Sequence, residues 1–485
     1  MISTVRRFGW CLFSILLLVV AAASSVQADV TLPNVFGDNM VLQRGQPLKF
    51  WGKADPGENV TVSLWRKQGG DAVAREVVTK ADGSGNWKLA VKPYHHAGPI
   101  SVAIRGKNTI NLKNVLIGEV WICSGQSNMA WTLNRTNNSK QEIAGAKYPN
   151  IRVFRVKRTP KSQPQDDVQL TASWKECSPE TIPDFSAVAY FFGRHLNQEL
   201  DVPIGLIETA WGGTRIEPWT PPVGFKQVPK LQSLVKEAEE VQKRDPNSKV
   251  NQQTPTVLYN GMVHGLVPFS MRGAIWYQGE SNRADGMMYY EKMKGLIYGW
   301  RKVWNQGDFP FLFVQLAPYT YGGNDDTMLP KIWEAQTATL SVVNTGMAVT
   351  VDIGNVKDIH PTNKQDVGKR LALWALAKTY GKKDLVYSGP LYQSMSIEKG
   401  KIRIKFKHVG SGLVSRDDKQ LSWFTIAGKD GKFVPAKAQI DGDSVIVMSE
   451  DVSKPKAVRF GWNQLAEPNL SNKEGLPASP FRTDR

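Results

Sequence analysis

The 485-residue sequence predicts an α/β protein with a doubly wound parallel sheet at its centre, flanked by N-terminal and C-terminal β-sandwich-type regions. Two observations predict it. Between about Val115 and Gly381, near-continuous apolar runs alternate with helical patterns, as in strands buried on both faces and joined by crossover helices. On either side the pattern changes to short alternating runs broken by Gly, Asp and Pro, the pattern of antiparallel sandwich strands. At roughly 150 residues per domain the length allows two to four domains.

In chain order, Arg6 and Arg7 precede an apolar stretch from Trp10 to Ala23, and Val26-Gln27-Ala28 offers small residues for cleavage. This predicts a secretory signal peptide over 1–28 and a mature chain that is secreted or periplasmic. A β domain is expected over 29–114, with Leu48–Trp51, Val60–Leu64 and Trp87–Val91 as strands separated by Asp55-Pro56-Gly57 and Asp82-Gly83-Ser84-Gly85. The central domain, 115–385, has strand candidates at Val115–Cys123, Ile204–Ile207, Gly273–Tyr277, Phe311–Gln315 and Ala348–Val351. Its helix candidates are Ser186–Leu200, Met287–Trp304, Ile332–Val342 and Lys364–Tyr380, in which apolar residues return every three or four positions. A C-terminal β region, 386–485, carries Ile402–Phe406 and Ser444–Met448 as its clearest strands.

The net charge of +17 invites a nucleic-acid reading. The basic residues form no long block and accompany no nucleic-acid-binding motif, so solvated lysines are the expectation and no nucleic-acid partner is assigned. No run after the leader reaches the roughly 18 apolar residues of a membrane span. Removal of Cys11 with the leader leaves Cys123 and Cys177, which permits one disulfide at most and excludes a disulfide scaffold. Two cysteines without clustered histidines point away from structural zinc.

In a doubly wound sheet the ligand crevice lies beyond the carboxyl ends of the strands. After the first central strand stands Gly125-Gln126-Ser127-Asn128-Met129, in which a tight turn can expose the Ser127 hydroxyl and a following helix N-terminus can offer N–H groups to an oxyanion. Met129 stands where the nucleophile elbow of α/β-hydrolases has its second glycine. A serine nucleophile needs a base. Of the six histidines, His95 and His96 lie in the N-terminal β domain, His408 in a C-terminal strand and His195 on an amphipathic helix. His264 sits in a short apolar segment and reads as a satisfied core residue. His360 follows the fifth strand with Asp358 beside it, the setting of an oriented general base. Two further strand ends carry Trp211-Gly212-Gly213-Thr214-Arg215 and Trp276-Tyr277-Gln278-Gly279-Glu280-Ser281-Asn282, in which glycines admit close backbone approach and amides meet a carboxylate.

These four blocks, closed by Asp358-Ile359-His360-Pro361, resemble in kind and order the sialate O-acetylesterase family of SGNH-type hydrolases. The resemblance implies an SGNH-like core and an exported serine carbohydrate esterase that removes O-acetyl groups, foremost from sialic acid, without metal or organic cofactor. It implies Ser127 as nucleophile and His360 as base, with Asp358 the first choice of orienting acid and Glu280 the second. Lys357 stands where the wider superfamily has its aspartate. It also implies an oxyanion hole of the Ser127 and Gly213 backbone N–H groups and an amide of the third block, Gln278 before Asn282. Gln126, Asn128, Trp211, Arg215 and Asn282 are the substrate-binding candidates. Trp211, Trp219 and Trp276 either form a platform for a sugar face or pack beside the sheet, and Arg215 either meets a sialate carboxylate or pairs with Glu217. Related esterases acting on acetylated xylan share the blocks, so a polysaccharide acetylesterase is the alternative. A non-catalytic carbohydrate-binding protein is the alternative of another class, opposed by the intact Ser127 and His360.

Overall fold

The computed structural model describes residues 29–68, 71–93, 98–323 and 325–484. The leader read over 1–28, together with His95 and His96, lies outside them. The central sheet contains β1 (Thr109–Gly125), β2 (Tyr148–Val156), β3 (Leu170–Cys177), β4 (Ile204–Ala210), β5 (Gly273–Tyr277), β6 (Phe311–Val314) and β7 (Thr345–Ala348), in the spatial order β7-β6-β5-β1-β4-β2-β3. The first six of that order are mutually parallel, and β3 adds an antiparallel edge, so the sheet is mixed rather than purely parallel.

Helices cover both faces: α1 (Ala187–Leu200) and α4 (Lys364–Lys378) on one, α2 (Met288–Trp304) on the other, with α3 (Met328–Ala338) beside α2. The tryptophans record this division. Trp121 packs edge-on against Phe192 of α1 at 5.0 Å, and Trp276 against Trp300 of α2 at 6.5 Å. Trp276 lies opposite Ser124 in the ladder, three residues from Trp121, so strand alternation sends the two rings to opposite faces. Every residue of β4, β5 and β6 is buried, which is why these strands read as unbroken apolar runs.

Within the central domain the strands and helices depart from expectation in several places. β2 and β3 were not expected. In β2, Arg152 and Arg155 interrupt the apolar text although Arg152 is buried, its guanidinium held by the Pro149 carbonyl and by Glu176. In β3 alternation is one-sided, as at a sheet edge. The last strand lies three residues earlier than expected: after Ala348 the Thr350 hydroxyl, not a backbone N–H, bonds the Gln315 carbonyl. The third helix starts at Met328, ahead of Pro330, because a proline in the first turn removes an N–H that has no helical acceptor.

The N-terminal strands Asn59–Gln68, Asp71–Lys80 and Ile100–Arg105 pair antiparallel with one another and with the first part of β1, whose second part enters the central sheet. One apolar core therefore runs from Val30 through Trp121 to Leu376. The C-terminal region instead has two four-stranded sheets around their own core, which includes Ile404, Val445, Ile426 and Phe460. It meets the central domain through polar contacts such as Arg482 to Glu334 and Gln464 to Asp326, and through Tyr387 packed on Trp374 at 4.7 Å. Cys123 and Cys177 are separate buried thiols. Among the described residues no helix is long and apolar enough to cross a membrane.

Candidate active site

β1 occupies the centre of the sheet; the chain fills one side with β2 to β4 and then the other with β5 to β7. Loops leaving β4 and β5 diverge from β1 there, which makes this end the topological switch point where crevices form. The Ser127 turn follows β1, the Trp211-Gly212-Gly213 segment follows β4, and the Gln278-Gly279-Glu280 segment follows β5.

Ser127 is half-buried on a single turn closed by the Ala130 N–H to Gln126 carbonyl bond of 2.9 Å. No long helix continues it as expected: the Leu133 and Asn134 N–H groups turn to the Phe185 and Pro183 carbonyls. The turn is braced from both neighbours, since Trp211 N–H donates to Gly125 O and Gln126 N–H to Tyr277 O, each at 3.0 Å. Gly212 lies directly against the nucleophile candidate. A Cβ there would stand 3.2 Å from Ser127 Cβ, tighter than ordinary contact, so glycine lets the segment approach. Gly213 adopts φ 75° and is exposed. Among the described residues neither the Ser127 nor the Gly213 N–H bonds a backbone carbonyl.

Beneath the turn lies a closed polar network. Gln126 Oε1 accepts from Gln278 Nε2 at 3.1 Å and from Ser281 N–H at 3.3 Å. Gln278 also donates to Asn282 Oδ1 at 2.7 Å and Thr214 O at 3.1 Å, so its amide hydrogens serve protein acceptors and its side chain is fully buried. Asn282 is likewise buried, donating to Glu217 and Asp285 and accepting from Ile216 N–H. Arg215 grips Glu217 at 3.0 Å and Asp285 at 3.1 Å, and the same two carboxylates hold buried Lys292. Lys292 and Arg215 overcome the cost of burial and hold the Glu217 carboxyl down at about 2. Trp219 and Trp276 are core residues, Trp219 donating to Thr214 Oγ1, so of the three only half-buried Trp211 remains at the surface.

His360 sits on the loop beyond β7. Its ring stacks on Trp131 at 4.8 Å and 17°, and its Nδ1 lies 3.7 Å from Asp358 Oδ1, which also accepts the His360 backbone N–H at 2.9 Å. At 3.7 Å the side chains are neighbours short of a hydrogen bond. Burial, Lys364 and Arg135 push the imidazole below its usual pKa of 6.5, against Asp358, and favour the neutral base. Among the described residues no hydrogen bond joins Ser127 Oγ to the ring. The two loops are joined by their neighbours: Asn128 Nδ2 donates to Ile359 O at 3.0 Å. Its second donation goes to Glu280 Oε1 at 2.6 Å, which turns that carboxylate toward Asn128; burial pushes the Glu280 carboxyl up.

Three residues here escaped the sequence reading: Trp131, Arg135 over its ring at 3.6 Å, and Lys364, whose Nζ donates to Asn128 Oδ1 at 2.5 Å. Lys364 had a signal. It opens α4, the end of a helix where a cation is disfavoured. His264, by contrast, is held by the Gln165 carbonyl at 3.0 Å in a cleft of about 700 Å³ lined by Trp51 and Asp82, which includes neither Ser127 nor His360. Among the described residues no three His, Cys, Asp or Glu side chains group as a metal would require.

The model of the family described as carbohydrate esterase, sialic acid-specific acetylesterase, matches residues 117–377, more than half of the chain. The sialate O-acetylesterase of Pongo abelii is 30% identical across 98% of this chain and 96% of its own length. That of Mus musculus is 30% identical across 97% of each. The crystal structure of a carbohydrate acetylesterase from Xanthomonas citri is similar at a TM-score of 0.84, with 39% identity over 94% of this chain and 100% of that one. The chain belongs to the sialic acid-specific acetylesterase family of carbohydrate esterases and is a carboxylic ester hydrolase acting on O-acetyl groups.

Proposed function

We propose that the protein is an exported SGNH-type serine esterase that removes O-acetyl groups from sialic acid through an acetyl-serine intermediate. His360 takes the Ser127 proton as Oγ attacks the acetyl carbonyl, the sugar oxygen leaves with that proton, and water then releases acetate from the acyl-enzyme. The carrying observation is the meeting of the Ser127 turn and the His360 loop at the switch point, tied by Asn128 to Ile359 O and by the Trp131 stack. The Ser127 and Gly213 N–H groups form the oxyanion hole, each worth about 3 kcal/mol of barrier. Gln278 and Asn282, with their donors engaged, hold Gln126 and the turn in place. Asp358 orients the imidazole, because it is the carboxylate beside Nδ1 while Glu280 serves Asn128. Trp211 offers the sugar an apolar face.

One observation favours a second reading, deacetylation of xylan or another polysaccharide: Arg215, the cation offered to a sialate carboxylate, is already neutralised by Glu217 and Asp285. Acetate release from O-acetylated sialic acid and from acetylated xylo-oligosaccharide separates the two. The first reading expects the higher kcat/KM on the sialate, abolished in Ser127→Ala; the reverse ranking moves the second forward. Export is tested by N-terminal sequencing of protein recovered outside the producing cytoplasm, which should begin at Asp29.

A further inference from the structure

Lys364 is fully buried, and its Nζ has Asn128 Oδ1 as its hydrogen-bond acceptor among the described residues. The rings of Tyr277 and Trp131 lie 5.3 and 5.8 Å from the nitrogen. A buried ammonium at a helix N-terminus is opposed by both desolvation and the helix dipole, so stability alone gives no reason for a lysine there. Its hydrogen bond gives one. Asn128 could present its amide either way round. A lysine donor on one side and the Glu280 carboxylate with the Ile359 carbonyl on the other admit a single orientation, with Oδ1 to Lys364 and Nδ2 to both acceptors. That orientation joins the residue after Ser127 to the residue before His360.

We propose that Lys364 is a positioning residue for ester hydrolysis: it locks the Asn128 amide that holds the Ser127 turn against the His360 loop, and it sets its charge beside the imidazole. The inference rests on Ser127 and His360 acting as nucleophile and base. The charged groups around the pair are Asp358 on the same loop, Arg135 from the turn at Leu133–Arg135, and Glu280 after β5. Glu280 and Asp358 favour the ammonium, burial opposes it and brings Lys364 down to about 7, and Lys364 and Arg135 both disfavour protonated His360. Below about 7 the lysine carries its charge, the range in which His360 titrates.

The test is hydrolysis of 4-nitrophenyl acetate across pH by wild type, Lys364→Met, Lys364→Gln and Ser127→Ala, with thermal unfolding as the folding control. Lys364→Met is expected to lower kcat by about 100-fold with little change in KM, the cost of a displaced reacting group. Lys364→Gln keeps an N–H donor and recovers most of that loss. In both variants the acid limb of kcat/KM moves up by roughly half a unit to one unit, because losing a neighbouring cation eases protonation of His360. Should Lys364→Met fail to fold, the limb in Lys364→Gln decides. An inactive Ser127→Ala beside folded Lys364 variants with wild-type kcat and an unmoved limb overturns this inference alone. An active Ser127→Ala overturns the serine mechanism and this inference with it.

Discussion

The two halves of the site are built differently. The half that carries Ser127, the proposed nucleophile, rests on β1, β4 and β5 and on a polar network from buried Gln126 through buried Gln278 and Asn282 to Glu217, Lys292, Asp285 and half-buried Arg215, in which the amide donors are engaged. The half that carries His360, the proposed base, is a loop beyond β7, where His360 is placed by its stack on Trp131, by its backbone N–H to exposed Asp358 and by Asn128 holding its neighbour. In the proposed mechanism, rigid strand ends supply precision to the attacking Ser127 hydroxyl. The loop supplies an imidazole whose charge is set by what approaches it.

The largest effect expected is from His360→Ala, which leaves the nucleophile half intact yet should lower kcat by roughly ten-thousand-fold in a stopped-flow aryl acetate assay. A fall under tenfold would mean that the rigid half works without this base. Next, Glu217→Ala should cost about 2 kcal/mol in urea unfolding, since it takes one of two carboxylates from buried Lys292 and from Arg215 and leaves Asp285 to serve both. If Glu217→Ala kept full stability, the network would not be what holds the turn. Trp131→Ala removes the stack under His360 and should reduce kcat/KM by roughly tenfold in protein that remains folded, at a cost of about 3 kcal/mol in stability because the indole is buried. The smallest effect is in pH. In the proposed mechanism His360 acts neutral, and burial, Lys364 and Arg135 depress its pKa, so the acid limb of wild-type kcat/KM should fall below 6.5. A limb above 6.5 would show that Asp358 outweighs burial, Lys364 and Arg135.

Much of the nucleophile half was legible in the sequence because its residues follow continuous apolar strands: the strand gives the position and the next few residues give the chemistry. Ser127, Gly213 and the Gln278 block are proposed on this ground, and the structure brings their segments to one end of the sheet. Their division of labour was not legible. Gln278 and Asn282 carry the amides an oxyanion hole needs, and only the partners of those amides reveal that they are engaged. Arg215 beside Glu217 reads equally as ligand or brace until Asp285 and Lys292 appear from distant segments. In the other half, the proposals for His360 and Asp358 rest on one short stretch of sequence, whereas Trp131 and Lys364 reach the site only by contacts made across the fold. In the sheet itself, buried Arg152 concealed β2 because periodicity treats every arginine as solvated.

The central claim is that the acetyl group passes through Ser127, and rapid-quench mass spectrometry of the Ser127 peptide after mixing with aryl acetate tests it most directly. One acetyl group on Ser127 is expected, forming before steady-state turnover and missing from Ser127→Ala, which should also be inactive. Turnover at the full rate with no acetylated peptide, together with retained activity in Ser127→Ala, would contradict the account.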